Sequence, residues 1–268
     1  MGERKVMTDE QSVREDLLAE LEHTRQRTRQ LITSLSEAQL DVPYHPGVNP
    51  PLWEMGHAAF FYEVFVFNLL DGAPSFDPAM DDLWDSFHIE HRDRWNRDLF
   101  PGRVETLDYF DTIYDRVAER IRVQPLTDQA LYLYRYAIFH QNMHIESLIW
   151  CRQTVGYAAP PGMTRERSSP GTPASGDTVI PAGRWLIGMP GESESFATKD
   201  FAFDNEKPGF EVDLESFAIS RQLVTNREYL AFVDDGGYRR PELWSFGGGS
   251  GWRQKWTWLW YMAARNPS

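Results

Sequence analysis

Residues 136–150 read YAIFHQNMHIESLIW, an apolar run that carries two histidines four positions apart. On a helix this spacing places His140 and His144 on one face, where both ring nitrogens can reach one ion. The same pattern also fits the polar side of an ordinary amphipathic helix, and it arises by chance in many chains. The surrounding sequence therefore has to decide between a metal site and a structural helix.

The run falls in the last of four predicted helices, at residues 8–40, 51–70, 103–122 and 128–154. Each keeps a helical period of apolar residues or is bounded by helix-breaking segments, and LTDQ resembles an N-terminal capping sequence before the fourth. Four helices of this length indicate an antiparallel bundle over residues 8–156, with one long connection between the second and third helices.

A change of composition follows the bundle. Residues 157–177 are rich in Pro, Gly, Ser and Thr, which is typical of an interdomain linker. Beyond it, the segments TVIPAGRWLIGM and FEVDLESFAISRQLV predict short strands, and TNREYLAFVDDGGY predicts a helix. The predicted fold class is therefore α plus α+β, with a second domain at 178–268.

Composition excludes several function classes. The formal net charge of -13 and the pI near 5.0 argue against nucleic acid and against an anionic membrane surface as partners. A single cysteine, Cys151, excludes an intramolecular disulfide and a cysteine-based zinc site. Without a signal-peptide pattern or a membrane-length apolar run, the sequence predicts a soluble, cytoplasmic protein.

Two histidines rarely hold a metal, so a third ligand is needed. His57 is the best candidate, because it lies in the apolar segment PLWEMGHAAFFYE of the second predicted helix. Bundle cores commonly build metal sites from facing helices, and three neutral imidazoles suit Fe(II), Zn(II), Cu or Ni. Glu146 turns away from the histidine pair and is expected to orient a ligand from behind or to pair with an arginine.

The connection between the second and third helices carries a run of arginines, at Arg92, Arg94 and Arg97. Such a run is most often a solvated face. In so acidic a protein it is also a candidate clamp for a substrate carboxylate.

Five blocks occur in order over about residues 10–245: NPPLWEMGHAAFFYEVFV, LYLYRYAIFHQNMHIESL, VIPAGRWLIGM, FAFDNEKPGFEVDLESFAIS and VTNREYLAFVDDGGYRRPELW. Together they resemble the iron-dependent sulfoxide synthases of ergothioneine biosynthesis. Those enzymes fuse a DinB-like four-helix bundle to a domain similar to the formylglycine-generating enzyme, which has a C-type-lectin-like fold.

The resemblance implies Fe(II) held by His57, His140 and His144, and O2-dependent joining of a thiol to the imidazole of hercynine (Nα-trimethylhistidine). It also implies that arginines of the run Arg92, Arg94 and Arg97 hold the carboxylates of the thiol substrate. The many aromatic residues would help to surround the quaternary ammonium of hercynine.

Two departures from the family pattern affect these expectations. A glutamine that helps to hold hercynine commonly precedes the second histidine of the pair, whereas this chain has Met143. Methionine there resembles the selenoneine synthase branch, in which a selenosugar replaces the thiol. The family also continues beyond GGYRRPELW, so we expect a C-terminally truncated chain whose activity is open. Tyr261 does not match the context of the family's catalytic tyrosine, so no catalytic residue is assigned.

Two other functions remain open from the sequence. A DinB-like thiol transferase would use the same metal site without O2, and an inactive fragment would only bind metal. Formylglycine-generating activity is not expected, because that chemistry needs cysteine ligands and the chain has only Cys151.

Overall fold

The computed structural model describes residues 3–162, 175–189 and 201–244. The chain folds as two compact units, described separately below. The helical unit comprises Met1–Arg165 and Ile187–Phe210, and the strand unit comprises Glu166–Leu186 and Glu211–Ser268.

Four long helices form the helical unit: α1 (Glu3–Thr33), α2 (Pro51–Tyr62), α3 (Arg103–Val123) and α4 (Asp128–Thr154). Helix α1 packs on α3 and α4, and α2 packs on the same two helices. Thr127 caps α4, because its side chain accepts a hydrogen bond from the backbone N–H of Ala130. The predicted four-helix bundle is confirmed, and the predicted bounds of the fourth helix agree with those of α4.

The first predicted helix, 8–40, is wrong at its C-terminal end. Helix α1 stops at Thr33, and a separate short helix occupies Glu37–Leu40. Ser36 begins this short helix with a capping box, in which its hydroxyl accepts from the N–H of Gln39 and its own N–H donates to the Gln39 side chain. The serine cap therefore starts a new helix instead of continuing the old one.

The second predicted helix continues past α2 in a changed geometry. A π-helical segment covers Glu63–Asn68, and one further α-turn covers Leu69–Asp71. The long connection that follows contains the short helix Asp81–Trp84 and 3₁₀ turns at His91–Trp95 and Arg97–Leu99.

The core of the bundle is apolar and is supplied by all four helices. Among its most deeply buried side chains are Leu31, Ile32, Met55, Tyr62, Phe110, Ile113, Tyr114, Ile121, Tyr134 and Ile138. A buried polar contact also crosses it, since the side-chain amide of Gln141 on α4 donates to the hydroxyl of Thr28 on α1 at 2.6 Å. That bond fixes which face of α4 points toward α1.

Residues beyond the bundle also belong to the helical unit. A 3₁₀ turn spans Asp204–Glu206, and the rings of Phe201 and Phe203 contact Tyr136 of α4. Part of the segment predicted for the second domain thus packs with the bundle. The domain bounds at 8–156, 157–177 and 178–268 stay predictions.

The strands are β1 (Asp177–Ile180), β2 (Gly183–Ile187), β3 (Phe210–Leu214) and β4 (Phe217–Ser220), and helix α5 (Asn226–Asp234) follows them. All of these residues belong to the strand unit except Ile187 at the end of β2 and Phe210 at the start of β3. Strands β1 and β4 pair antiparallel, with Asp177 opposite Ser220, and β2 pairs with β3. Two 3₁₀ turns follow, at Gly237–Arg239 and Pro241–Leu243.

The predicted fold class, a helical part followed by a part that contains strands and a helix, is confirmed. Tyr261 and residues 245–268 lie outside the described residues, as does 163–174 of the predicted linker. Across the described helices, none combines the length and the apolar character that crossing a bilayer would require.

Gly56 lets α2 pack closely against Trp84 in the connection between α2 and α3. A Cβ atom at this position would overlap the ring of the buried Trp84. We expect Gly56→Ala to lower the free energy of unfolding by about 1–3 kcal/mol, although alanine favours helix. Urea denaturation measures this change.

The matched background is Trp84→Leu, which removes the ring that the new methyl group would strike. There, Gly56→Ala should instead stabilise the protein by about 0.5–1 kcal/mol, through the helix preference of alanine. An equal loss in both backgrounds would show that the Trp84 ring is not the cause.

Candidate metal centre

Three histidines from two helices converge inside the bundle. His57 lies on α2, and His140 and His144 lie one turn apart on α4. Their ligand atoms all fall within 4.8 Å of one another, and the Nε2 atoms of His140 and His144 are 3.0 Å apart. Two nitrogens bound at about 2.1 Å and at right angles on one ion would be separated by about 3 Å. The donor set and its spacing therefore fit a metal ion.

Two of the rings are oriented by hydrogen bonds from their other nitrogen. The Nδ1–H of His57 donates to the backbone carbonyl of Trp84 at 2.6 Å, and the Nδ1–H of His144 donates to Oε2 of Glu54. Both bonds leave the Nε2 lone pair free toward the cluster, which is the tautomer that a metal needs. Nδ1 of His140 is buried and has no hydrogen-bond partner in the described part of the chain.

Glu54 is the functional residue that the sequence interpretation missed. Its side chain is 1% exposed, and its Oε1 accepts from Asn49 at 2.8 Å and from Ser147 at 2.6 Å. Burial raises the pKa of Glu54, but His144 and the three hydrogen bonds outweigh it and hold the pKa below its ordinary value. A carboxylate three residues before His57 in an apolar helix was a signal available in PLWEMGH.

The surroundings of His57 and His140 keep both imidazoles neutral. Burial, with the nearby His144, lowers the pKa of His57 from 6.5 to about 4, and burial also lowers the pKa of His140. Metal ligation requires neutral imidazole. Hence neither ring has to lose a proton to bind an ion near neutral pH.

Aromatic rings enclose the cluster on two sides. Trp53 stacks on His57 with ring centroids 4.7 Å apart, and Phe61 stacks on His140 at 3.5 Å. Phe61 also stacks on Phe65, which stacks in turn on Tyr136. These rings form a continuous apolar wall beside His140 and limit the access of water to it.

The arginines of the predicted clamp are not equivalent. Arg94 is half-buried and lies over the ring of Trp53, 4.0 Å from the ring centroid. Arg92 is exposed and lies over Tyr44, and Arg97 is exposed and pairs with Asp41 at 3.4 Å. Of the three, Arg94 is thus connected to a histidine of the cluster through a shared ring.

Two further predicted residues lie on the exposed part of α4. Met143 is 48% exposed, and Glu146 is also exposed. The carboxylate that contacts His144 comes from Glu54 on α2, so the orienting group that was expected at Glu146 is supplied by a different helix.

Comparison with known families matches both parts of the chain. A model of the DinB superfamily matches residues 20–148, which span most of the bundle. A model of the sulfatase-modifying factor enzyme 1-like domain matches residues 164–266.

Curated proteins are similar over most of this chain. Hercynine oxygenase of Mycolicibacterium smegmatis is 30% identical over 87% of the chain and 53% of its own length. Those of Mycolicibacterium thermoresistibile and Mycobacterium tuberculosis are 28% and 27% identical, over 88% and 86% of the chain and 52% and 53% of their own lengths. The chain spans about half the length of the curated relatives it matches.

The pKa of His57 predicts how the metal-free protein responds to acid. Folding lowers this pKa from 6.5 to about 4, so below about pH 6.5 the unfolded chain binds a proton that the folded chain does not. The free energy of unfolding should therefore fall by about 3 kcal/mol between about pH 6.5 and pH 4 from His57 alone. His57→Gln should flatten this dependence in urea denaturation, and identical pH slopes in both proteins would contradict the assignment.

Glu54→Ala should destabilise the metal-free protein by about 3 kcal/mol, because the buried donors of Asn49, Ser147 and His144 all lose their acceptor. Glu54→Gln should cost less, since its amide oxygen still accepts one or two of these bonds. Urea denaturation of both variants distinguishes the cases. Equal losses would mean that the glutamine amide, which preserves the side-chain volume, restores none of these bonds and that the position requires the charged carboxylate.

Proposed function

The chain belongs to the two-domain family of the hercynine oxygenases, and on this premise we propose that it oxidises hercynine with O2 at a metal held by His57, His140 and His144. The observation that carries the proposal is the convergence of three imidazoles within 4.8 Å inside the bundle. A histidine that served only packing would not be expected to direct its Nε2 toward two others.

Fe(II) is the proposed ion. Three neutral imidazoles with open positions also suit zinc, copper or nickel, and the choice of iron follows from the O2-dependent reaction of the family. When bound, the iron supplies the activation of O2 and coordination positions for the substrates.

The reaction that we propose forms a C–S or C–Se bond between a thiol or selenosugar donor and the imidazole ring of hercynine. For a thiol that gives a sulfoxide, the C–H and S–H bonds break and the C–S bond forms. One oxygen atom of O2 ends in the sulfoxide and the other in water, with the two hydrogens. O2 is thus the four-electron oxidant, and no further reductant is needed.

Residues around the cluster have separate tasks in this proposal. Glu54 and the carbonyl of Trp84 hold His144 and His57 with Nε2 facing inward. Phe61 covers His140 and excludes water from that side. These residues keep the ligand atoms in place before any substrate arrives, which reduces the reorganisation that the reaction requires.

The aromatic wall of Phe61, Phe65 and Tyr136 is the proposed contact surface for the trimethylammonium group of hercynine. Quaternary ammonium groups favour the faces of aromatic rings.

The donor is proposed at the level of a thiol or a selenol. Arg94 is the arginine best placed to meet a donor carboxylate, since it lies over Trp53, which stacks on His57. Met143 cannot supply the amide hydrogen bonds of the glutamine found in the ergothioneine branch, and this motivates the selenium alternative.

Iron binding tests the ligand assignment directly. Anaerobic reconstitution of the wild-type protein with Fe(II), followed by metal analysis, should give a single equivalent of iron, and His57→Ala or His140→Ala should lose most of it. His88→Ala is the matched control, because His88 is exposed and pairs with Asp85. Unchanged iron in His57→Ala would remove that residue from the site.

Turnover tests the reaction. We expect O2 uptake only when hercynine and a donor are both present, with a product mass that identifies the donor from a panel of thiols and selenols. Product formed with a thiol under anaerobic conditions would instead indicate a DinB-like thiol transferase. Iron binding without any product would contradict the proposed activity of this chain.

A further inference from the structure

Arg94 is a half-buried cation beside the cluster that a neutral side chain holds in place. Its Nη1 donates to Oδ1 of Asn49 at 2.9 Å, and its Nη2 donates to the carbonyl of Ser86 at 3.2 Å. Burial lowers the pKa of Arg94. Among the described residues no carboxylate forms an ion pair with it.

Asn49 bonds both Arg94 and Glu54 and so connects them. Because an arginine can only donate, the amide oxygen of Asn49 must face Arg94, and its NH2 group must then face the other way. There it donates to Oε1 of Glu54 at 2.8 Å. The arginine and the carboxylate therefore fix the orientation of the amide from both sides, because one can only donate and the other can only accept.

Glu54 completes the path to the metal ligand. Its other oxygen accepts from Nδ1–H of His144. Arg94 thus donates to Asn49, Asn49 donates to Glu54, and His144 donates to Glu54 from the other end of the series. A flipped Asn49 amide would aim its oxygen at the Glu54 carboxylate and would repel it.

A second contact joins Arg94 to another ligand. The guanidinium lies 4.0 Å from the centroid of Trp53, and Trp53 stacks on His57 with only 11° between the ring planes. Arg94 thus acts on His144 through hydrogen bonds and on His57 through a stacked ring.

We propose that Arg94 and Asn49 are positioning residues for the metal centre, and that their hydrogen bond sets the orientation of Glu54 and, through it, of His144. The inference rests on the proposed metal binding by the three histidines. It assigns to Arg94 a role within the protein that does not depend on whether Arg94 also meets a substrate.

The test measures affinity for Co²⁺, whose absorption reports the ligand field, in the whole chain without substrates. Arg94→Gln and Asn49→Leu should each weaken Co²⁺ binding by about 10-fold and shift the visible absorption bands, as loss of outer partners does at other metal sites. The double variant should be little weaker than either single variant, because the two residues act in series.

Matched controls separate positioning from general stability. Arg103→Gln removes another partly buried guanidinium, which bonds the carbonyl of Leu35, and Asn68→Leu removes another amide, which bonds the carbonyl of Ala73. Both should lower the free energy of unfolding without changing Co²⁺ affinity. Arg94→Lys should recover part of the affinity, since an ammonium can still donate to Asn49. If Asn49→Leu does not fold, Asn49→Ser replaces it, because the serine hydroxyl is too short to bridge Arg94 and Glu54.

Distinct outcomes overturn this inference and the proposed function. If the wild-type protein binds Co²⁺ and both single variants bind it equally well, the positioning role is wrong while the metal site stands. Additive losses in the double variant would also overturn the action in series. If the wild-type protein binds neither Co²⁺ nor Fe(II), both proposals are wrong.

Discussion

The buried carboxylate of Glu54 is the interaction on which the centre depends. It joins α2 to α4 by accepting from His144 and Ser147, and it joins both helices to the preceding loop through Asn49. A carboxylate with 1% exposure is costly to bury unless its oxygens are fully hydrogen-bonded. The same bonds that offset this cost also choose the tautomer of His144. The hydrogen bonds of Glu54 therefore both stabilise the bundle and orient His144 as a metal ligand.

The faces of α4 explain why polar groups can occupy the centre of a bundle without disrupting it. Gln141 points to α1 and bonds Thr28, while His140 and His144 point to α2. Adjacent positions on a helix differ by about 100°, so His140 and Gln141 face different neighbours. The apolar side chains between them, such as Ile138 and Ile145, still form a continuous core. Each of these polar contacts is therefore compatible with only one rotation of α4 about its own axis.

The sequence predicted what depends on local pattern and missed what depends on distant contacts. Helix α4 and its threonine cap follow from local periodicity and capping, and the histidine pair follows from one helical turn. The break after Thr33 also had a local signal in Ser36 and Gln39, but the apolar period across it outweighed that signal. The contact between Glu54 and His144 could not be predicted, because the two residues lie 90 positions apart and only the packing of α2 on α4 joins them.

The three imidazoles are held in the same arrangement that a bound metal would need, although no metal is required to hold them there. Burial lowers the pKa of His57 and of His140, which makes these two rings available as neutral ligands, and Nδ1 of His140 has no partner in the described structure. In the metal-free chain, Nε2–H of His140 donates to the Nε2 lone pair of His144 at 3.0 Å, because the proton of His144 is on Nδ1 and is donated to Glu54. An ion bound by both Nε2 atoms would take the place of this proton. A hydrogen bond thus joins His140 and His144 in the metal-free chain at the distance that two ligands of one ion require, and the bonds to Glu54 and Trp84 hold His144 and His57 in that arrangement.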